Sequence, residues 1–385
     1  MAVTEFTIHA GDHDRRHTLI DVSLGTGSSP GTLAEKDTGE NVPCQVIDGK
    51  LHFVIEHLPA GQQRTYRFEP GDSVENTSAH GVTVRHREST DMIDVFVRGR
   101  KFTTYHFGRQ HMRPHFWPVY GPGRTLITRG FPMDETIADQ TTDHVHHRSI
   151  WIAHGDVNST DNWTEEPRMA TPQVHQDLLH MFEGPVAGEF AHTLEWRDHR
   201  GAVEVDETRT VRFYATPGSA RMFDLTVTFH ASQGNVKFGD TKEGGLCSIR
   251  VATPMDADKT GRMENSVGGV GEDECWGKPA HWCDYSGHVP SKDGDQHVGI
   301  AVFDHPMNLR HPTTWHVRNY GLMTANPFGH SFYNCNHLKD GTYILQAGTL
   351  LTFHYRILLH RGDARRGKVA DRWADYAYPP MVQVH

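Results

Sequence analysis

TRTVRFY at residues 208–214 and FDLTVTFH at residues 223–230 decide the fold. In the second run Phe223, Leu225, Val227 and Phe229 alternate with polar residues, so an extended segment buries one face and wets the other. In the first, Val211 and Phe213 alternate with Thr210 and Arg212 in the same way. The pattern spreads outward from this pair. Residues 4–8, 18–22, 51–55, 64–68, 82–86, 93–97, 102–107, 297–303 and 350–359 all read as strands. Helical periodicity is scarce. Residues 171–181 are predicted as a short helix. Residues 368–378 (KVADRWADYAY) are predicted as a better one, with Val369, Trp373 and Tyr376 along one stripe. Many short strands punctuated by 37 Gly and 20 Pro indicate an all-β sandwich or barrel.

The polar run EPGDSVENTSA, residues 69–79, reads as a junction. The expected organisation is a small N-terminal β unit over residues 1–79, a main body over 80–362, and a C-terminal helix and tail over 363–385.

Composition excludes several classes. The 385 residues carry a formal net charge of -10, which argues against tracking nucleic-acid phosphates. No run approaches the roughly 20 apolar residues of a membrane span, and the polar N-terminus shows no secretory pattern. A cytoplasmic location is expected. No GxGxxG opens a helix, and there is no Walker lysine or GxSxG elbow, so no nucleotide cofactor and no serine nucleophile are expected. The five Cys have neither the even number nor the CxxC pairing of a disulfide framework or zinc ribbon. Histidine is the outlier, 30 of 385 residues. Protonating all of them would reverse the sign of the net charge, so stability should depend steeply on pH below about 6.5.

Four runs concentrate groups able to do chemistry. HVHHRSIWIAHGD spans residues 144–156. On one unbroken strand His144, His146 and His154 would share a face, with His147 and Trp151 on the other. The H-x-H pair His144 and His146 is a candidate chelate for a divalent metal ion; a metal-free polar pocket and plain structure are the alternatives. Asp156 and the nearby Trp163 are candidate binding residues. HMRPHFWPVYGPG, residues 111–123, brings His111, Arg113, Trp117 and Tyr120 into a proline-broken segment, either a binding loop or an aromatic plug. GDTKEGGLCSIRV, residues 239–251, places Glu243 at a glycine kink as a candidate general base or metal ligand, with Arg250 further along. The run from 305 to 329 puts His316 and Arg318 on one face of an extended segment and Trp315 on the other, with His311 ahead of Pro312. A guanidinium beside an imidazole suits a carboxylate, a carbonyl oxygen or a developing enolate.

The runs WPVYGPG, DHVHHRSIWIAHGDVN, GDTKEGGLCSIRV and HPTTWHVRNYGLMTANPFG, in that order, resemble the methane oxygenase PmoA-like family of uncharacterised bacterial proteins over about residues 100–360. That name belongs to an integral membrane subunit, so methane oxidation is set aside for a chain with no span. The resemblance implies a large antiparallel β-supersandwich of galactose-mutarotase-like type. It also implies a setting in bacterial sugar catabolism, beside enzymes that make keto-sugars.

Imidazoles titrate near neutral pH and suit proton transfer. The expected function is therefore a carbohydrate-processing enzyme, a lyase, hydrolase or epimerase, acting on a glycoside or keto-sugar. His146, Glu243, His316 and Arg318 are its candidate catalytic residues. His111, Arg113, Trp117, Tyr120, His147, Trp151, His154, Asp156, Trp163, Arg250, His311 and Trp315 are candidate binding residues. The alternatives are a metal-dependent enzyme on another small oxygenated substrate and a non-catalytic sugar-binding protein. A small carbohydrate is the expected partner, and a homo-oligomer is left open.

Overall fold

In the computed structural model, which describes residues 3–25, 27–71, 80–333 and 339–385, the chain is all-β. It forms a large antiparallel β-supersandwich with a small N-terminal β unit. The predicted junction at 69–79 lies largely outside the described residues.

The alternating pairs build the second of two eight-stranded sheets. Val203–Tyr214 pairs with Ala220–His230, which pairs with Leu350–Arg361. The sheet continues through Gly294–Asp304 to Trp282–Ser291 and Arg262–Asn265, and on its other side through Ala187–Arg197 to Gln173–Phe182. Phe223, Leu225, Val227 and Phe229 all enter the main core, as their period of two requires.

The 171–181 segment is not a helix: Gln173–Phe182 is the edge strand of this sheet. Two register shifts against Ala187–Arg197 break its alternation. Its outward positions are half-exposed, so its apolar residues fall at a misleading spacing. The predicted C-terminal helix is present as Val369–Ala377, and Val369, Trp373 and Tyr376 pack on one apolar cluster. Beyond it, Met381–Val384 pairs with Thr4–His9, so the C-terminal tail completes a sheet of the N-terminal unit. That unit encloses its own core around Phe6, Leu33, Phe53, Tyr66 and Phe68.

The other eight-stranded sheet runs Trp315–Arg318, Leu322–Ala325, Gly244–Arg250, Ile150–His154, His115–Val119, Arg100–His106, Met92–Val97, Val82–Arg87. Its register is decisive for function. Val317, Met323, Ile249, Ile150, Phe116, Tyr105 and Ile93 pair across it in one row, and every one of them is in the main core. One residue away the side chains must point outward. There the row reads His316, Thr324, Ser248, Trp151, His115, His106. The same pleat that buries an apolar stripe therefore lines up a polar one behind it.

No helix among the described residues is long and apolar enough to cross a membrane. A cavity of about 280 Å³ lies between the N-terminal unit, the second sheet and the C-terminal helix, lined by Asp21, His52, Arg212, Asp224, Arg356 and Tyr376 among others. It contains none of the sequence candidates.

Candidate functional site

The outward row is polar yet buried. His316, Thr324, Ser248, Trp151 and His115 are all at most 2% exposed, because loops fold over the sheet. Part of the cost of this burial is met by internal hydrogen bonds. The Ser248 and Thr324 hydroxyls are 2.6 Å apart. Gly245 makes their approach possible, since a Cβ there would lie 1.5 Å from Thr324 Oγ1. Other groups are left over. Trp151 Nε1, Trp163 Nε1, His316 Nδ1, His115 Nε2 and the Nε atoms of Arg113 and Arg250 are buried without a hydrogen-bond partner. Each such group costs about 1–3 kcal/mol if it stays unpaired. Their concentration on one face marks it as built to meet polar groups of something else.

The 144–149 segment caps this row, and it is a turn rather than the expected strand. His147 N–H donates to His144 O, and His144 and Ser149 have positive φ (46° and 60°). The strand begins only at Ile150. The imidazoles therefore gather as a stack instead of alternating across a ribbon. The His147 ring lies 4.7 Å from that of His144, 4.5 Å from that of His146 and 5.3 Å from that of Trp151. Trp163 closes the group 5.6 Å from Trp151 and 6.0 Å from His146. Tyr320 covers His144 at 4.9 Å. The guanidinium carbons of Arg250 and Arg318 lie 4.9 Å and 5.6 Å from the centre of the Tyr320 ring.

Charge is organised around two carboxylates. Arg129 and Arg250, both with fully buried side chains, donate to Asp143 Oδ1 at 2.5 Å and 2.8 Å. Arg250 also lies 3.0 Å from His147 Nδ1. Arg148 grips Glu165 through two bonds, of 2.6 Å and 2.5 Å. Buried Arg113 sits 3.5 Å from the same carboxylate and donates to the backbone oxygens of His146 and Thr164. Four guanidiniums against two carboxylates leave the face positive. Burial pushes Asp143 up, but the hydrogen bond from His144 and the charges of Arg250 and Arg129 outweigh it and hold the carboxyl well below its usual range.

The imidazoles, in contrast, are kept neutral. Burial, then the Arg113 charge, lowers His146 to about 4. Burial, then His146 and Arg250, drives His147 well below 6.5. Burial brings His316 down to about 3. Tyr320 is raised by burial, so its hydroxyl keeps its proton.

The fate of the other candidates is mixed. Glu243 stands just before the Gly244–Arg250 strand, half-exposed, 3.0 Å from Lys242 Nζ, and close enough to act electrostatically on His146 and Tyr320. His316 and Arg318 share the outward face as expected, and Trp315 lies in the core. Trp117 has the parity of His115 and is nearly buried. Besides Trp315, four candidates are not brought together with the rest. His154 shares the face of Ile150 and Ile152, bonds Gly239 O at 2.9 Å and packs on Phe238 and Phe328. Asp156 pairs with Lys237 at 3.1 Å and anchors a turn at Ser159. His311 bonds Asp304 at 2.7 Å and lies beside His281 and Trp373 of the C-terminal helix. Tyr120 bridges to Leu126, five residues from His115, roughly 17 Å along the chain.

Sequence reading did not select Asp143, Arg129, Arg148, Glu165 or Tyr320. Asp143, Arg148 and Tyr320 stand inside the quoted runs, and their proximity to His and Arg was the available signal. Among the described residues, no convergent group of three or more ligating side chains includes His144 or His146. His144 Nδ1 is 2.6 Å from Asp143 Oδ2. Among the described residues, the group of three that converges is His106, His111 and His115, with ligand atoms all within 4.8 Å of one another.

Comparison with known proteins gives one family assignment. The model of a family described as "Family of unknown function (DUF6807)" matches residues 92–374. The match is to this family, and the PmoA-like designation suggested by the sequence motifs is not supported. No curated protein sequence matches the chain. Among solved structures, a glycosyl hydrolase family 38 protein from Enterococcus faecalis aligns with a TM-score of 0.42 and 10% identity, over 100% of this chain and 47% of its own. An alpha-mannosidase from Enterococcus faecalis V583 aligns with a TM-score of 0.46 and 9% identity, over 100% of this chain and 46% of its own. The chain thus spans about half the length of these structures.

Proposed function

The chain belongs to the DUF6807 family, and we propose that its outward row is the active site of a carbohydrate-processing enzyme acting on a glycoside or keto-sugar. The supporting observation is the set of unpaired buried donors and acceptors beside two tryptophans. Trp151 and Trp163, at most 1% exposed, hold unpartnered indole N–H groups in the floor of the site, and His316 Nδ1 and Arg250 Nε add further unpaired atoms. Sugars present both apolar C–H faces and many hydroxyls, and such a surface suits them.

The chemistry follows from the charge pattern. A hydrogen on the carbon next to a sugar carbonyl is acidic. A neutral imidazole at His146, biased by Glu243, removes that proton, and the electron pair moves onto the carbonyl oxygen. Arg250 and Arg318, with the surplus positive charge around them, stabilise the enolate so formed. Return of the electrons expels an oxygen substituent on the next carbon, and the protonated Tyr320 hydroxyl supplies its proton. Elimination and epimerisation share the first step, and hydration passes through the same enolate in the reverse direction. His316 has a different part from the one the sequence suggested. Held neutral and buried, it positions substrate and does not serve as a general acid.

The test is turnover of a panel of glycosides and their 3-keto derivatives by the full chain. His146→Ala and Glu243→Gln should each lower the rate by about 10²–10⁴-fold with unchanged circular dichroism. Wild-type turnover in either variant removes that residue from the mechanism. Saturable binding without turnover of any member would make the protein a sugar-binding module.

A further inference from the structure

We propose that His106, His111 and His115 form a binding site for a divalent transition-metal ion of the zinc class. The proposal is independent of the sugar reading.

The triad is built by one hairpin. His106 ends the Arg100–His106 strand, His115 opens the His115–Val119 strand, and the two are paired in register. Their rings lie parallel, 5.0 Å apart with an interplanar angle of 2°. His111, on the loop between them, stands at 88° to both, 5.7 Å from His106 and 4.8 Å from His115. Two strands fixed by backbone bonds thus hold two ligands, and a four-residue return brings the third. The spacing H-x4-H-x3-H is uninformative until the hairpin register is known, which is why sequence reading passed over it.

The hydrogen bonding then fixes which nitrogen of two rings is free to ligate. His106 Nε2 lies 2.8 Å from Trp117 O and His115 Nδ1 lies 3.2 Å from Arg113 O. A carbonyl accepts only, so each of these nitrogens carries the ring hydrogen. The lone pair is left on His106 Nδ1 and on His115 Nε2. Carbonyl oxygens that orient ligating imidazoles in this way are the usual outer partners at metal sites. His115 is fully buried, and its Nε2 has no partner; His111 Nε2 is likewise buried and unpartnered. The His115 lone pair and a second unpartnered ring nitrogen facing dry space are costly unless a partner takes them.

The surroundings agree. Burial lowers all three imidazoles, His111 to about 4, so they are neutral and ready to ligate at neutral pH. Arg148, the arginine whose charge bears on His111 and His115, is held in a two-bond pair with Glu165. Three histidines without a fourth protein ligand are the composition of an open rather than a closed zinc site. His115 pairs directly with Trp151, so an ion here would sit at one end of the outward row.

The experiment is titration of the purified, chelator-treated full chain with Co²⁺ and Zn²⁺, read by calorimetry and by the visible ligand-field absorption of cobalt. One equivalent should bind, and Zn²⁺ should displace Co²⁺. His111→Ala and His115→Ala should each weaken binding at least about tenfold. His111 is only half-buried, so its variant remains informative if His115→Ala fails to fold. His146→Ala should bind as the parent does. Failure of the parent chain to bind one equivalent, or undiminished binding in His111→Ala, would overturn the proposal. So would loss of binding in His146→Ala alone. None of these outcomes depends on turnover, so they are separate from the fate of the enzyme reading.

Discussion

Acidifying the protein from neutral pH to about 5.5 should unfold it in one cooperative step. Four of the five described histidines outside the proposed metal triad that are at most 2% exposed, His147, His154, His192 and His316, have lowered values. In each, burial is the largest cause of a lowered value: His154 falls to about 4, His316 to about 3, and His147 and His192 lie well below 6.5. When the chain unfolds these rings regain a value near 6.5. Between the two values the unfolded state holds more protons than the folded one, so stability rises with pH there. The contribution is complete above about 6.5 and drains away below it. One unit lower, each ring costs about 1.4 kcal/mol, and the four together about 6 kcal/mol. That is comparable to the whole stability of an ordinary domain, about 5–15 kcal/mol. Far-ultraviolet circular dichroism and tryptophan fluorescence should lose their native values together, with a midpoint between about pH 5 and 6. A native signal persisting to about pH 4.5 would mean that the folded protein admits these protons, and that the rings are less shielded than the packing implies.

The same burial explains what could be read from the chain in advance. Phe223–Phe229 and the 350–359 run were legible as strands because they cross the middle of a sheet with one face on the core. Their period of two is a direct consequence of that position. Gln173–Phe182 was misread because an edge strand with bulges is released from the constraint. The histidine run failed for a related reason. His144 and Ser149 adopt left-handed backbone, which alternation alone cannot signal, so a turn stood where a strand was expected. His316 and Arg318 were nonetheless placed on one face, opposite Trp315, since all three lie within a true strand.

What sequence could not supply was the partner list. Asp143 and Arg250 are 107 positions apart, and only the order of strands in the first sheet makes them neighbours. His106 and His115 required the hairpin register. His154 illustrates the converse. It is adjacent in sequence to the rich cluster, but its parity turns it toward Phe238 and Phe328. Local density of chemical groups located the face; long-range pairing decided which groups share it.

Asp143→Asn should damage that face in both stability and rate. The carboxylate is the shared counter-charge of Arg129 and Arg250, whose side chains have no exposure, and the two guanidiniums repel each other. Removing one partner of a buried ion pair costs about 3–5 kcal/mol, because the other charge is left uncompensated. Here the carboxylate is itself 39% exposed, so water screens part of the loss and about 2 kcal/mol is the reasonable expectation. The sign with pH is fixed by the direction of its shift. A depressed carboxyl contributes fully above its unfolded value, about 3.9, and loses that contribution as pH falls below it. The difference between the two proteins should therefore be largest and constant near neutral pH, where urea unfolding of parent and variant measures it. The functional loss should exceed the structural one. Asn cannot hold both guanidiniums, so Arg250 shifts away from His147 and Tyr320, and turnover should fall by about 10²–10³-fold, as when a fixed oxyanion donor is lost. Asp143→Glu keeps the charge and should recover most of the stability but little of the rate, since the longer side chain displaces the guanidiniums. Equal stability and equal rate in Asp143→Asn would show that Arg129 and Arg250 are compensated elsewhere, and that this carboxylate does not organise the face.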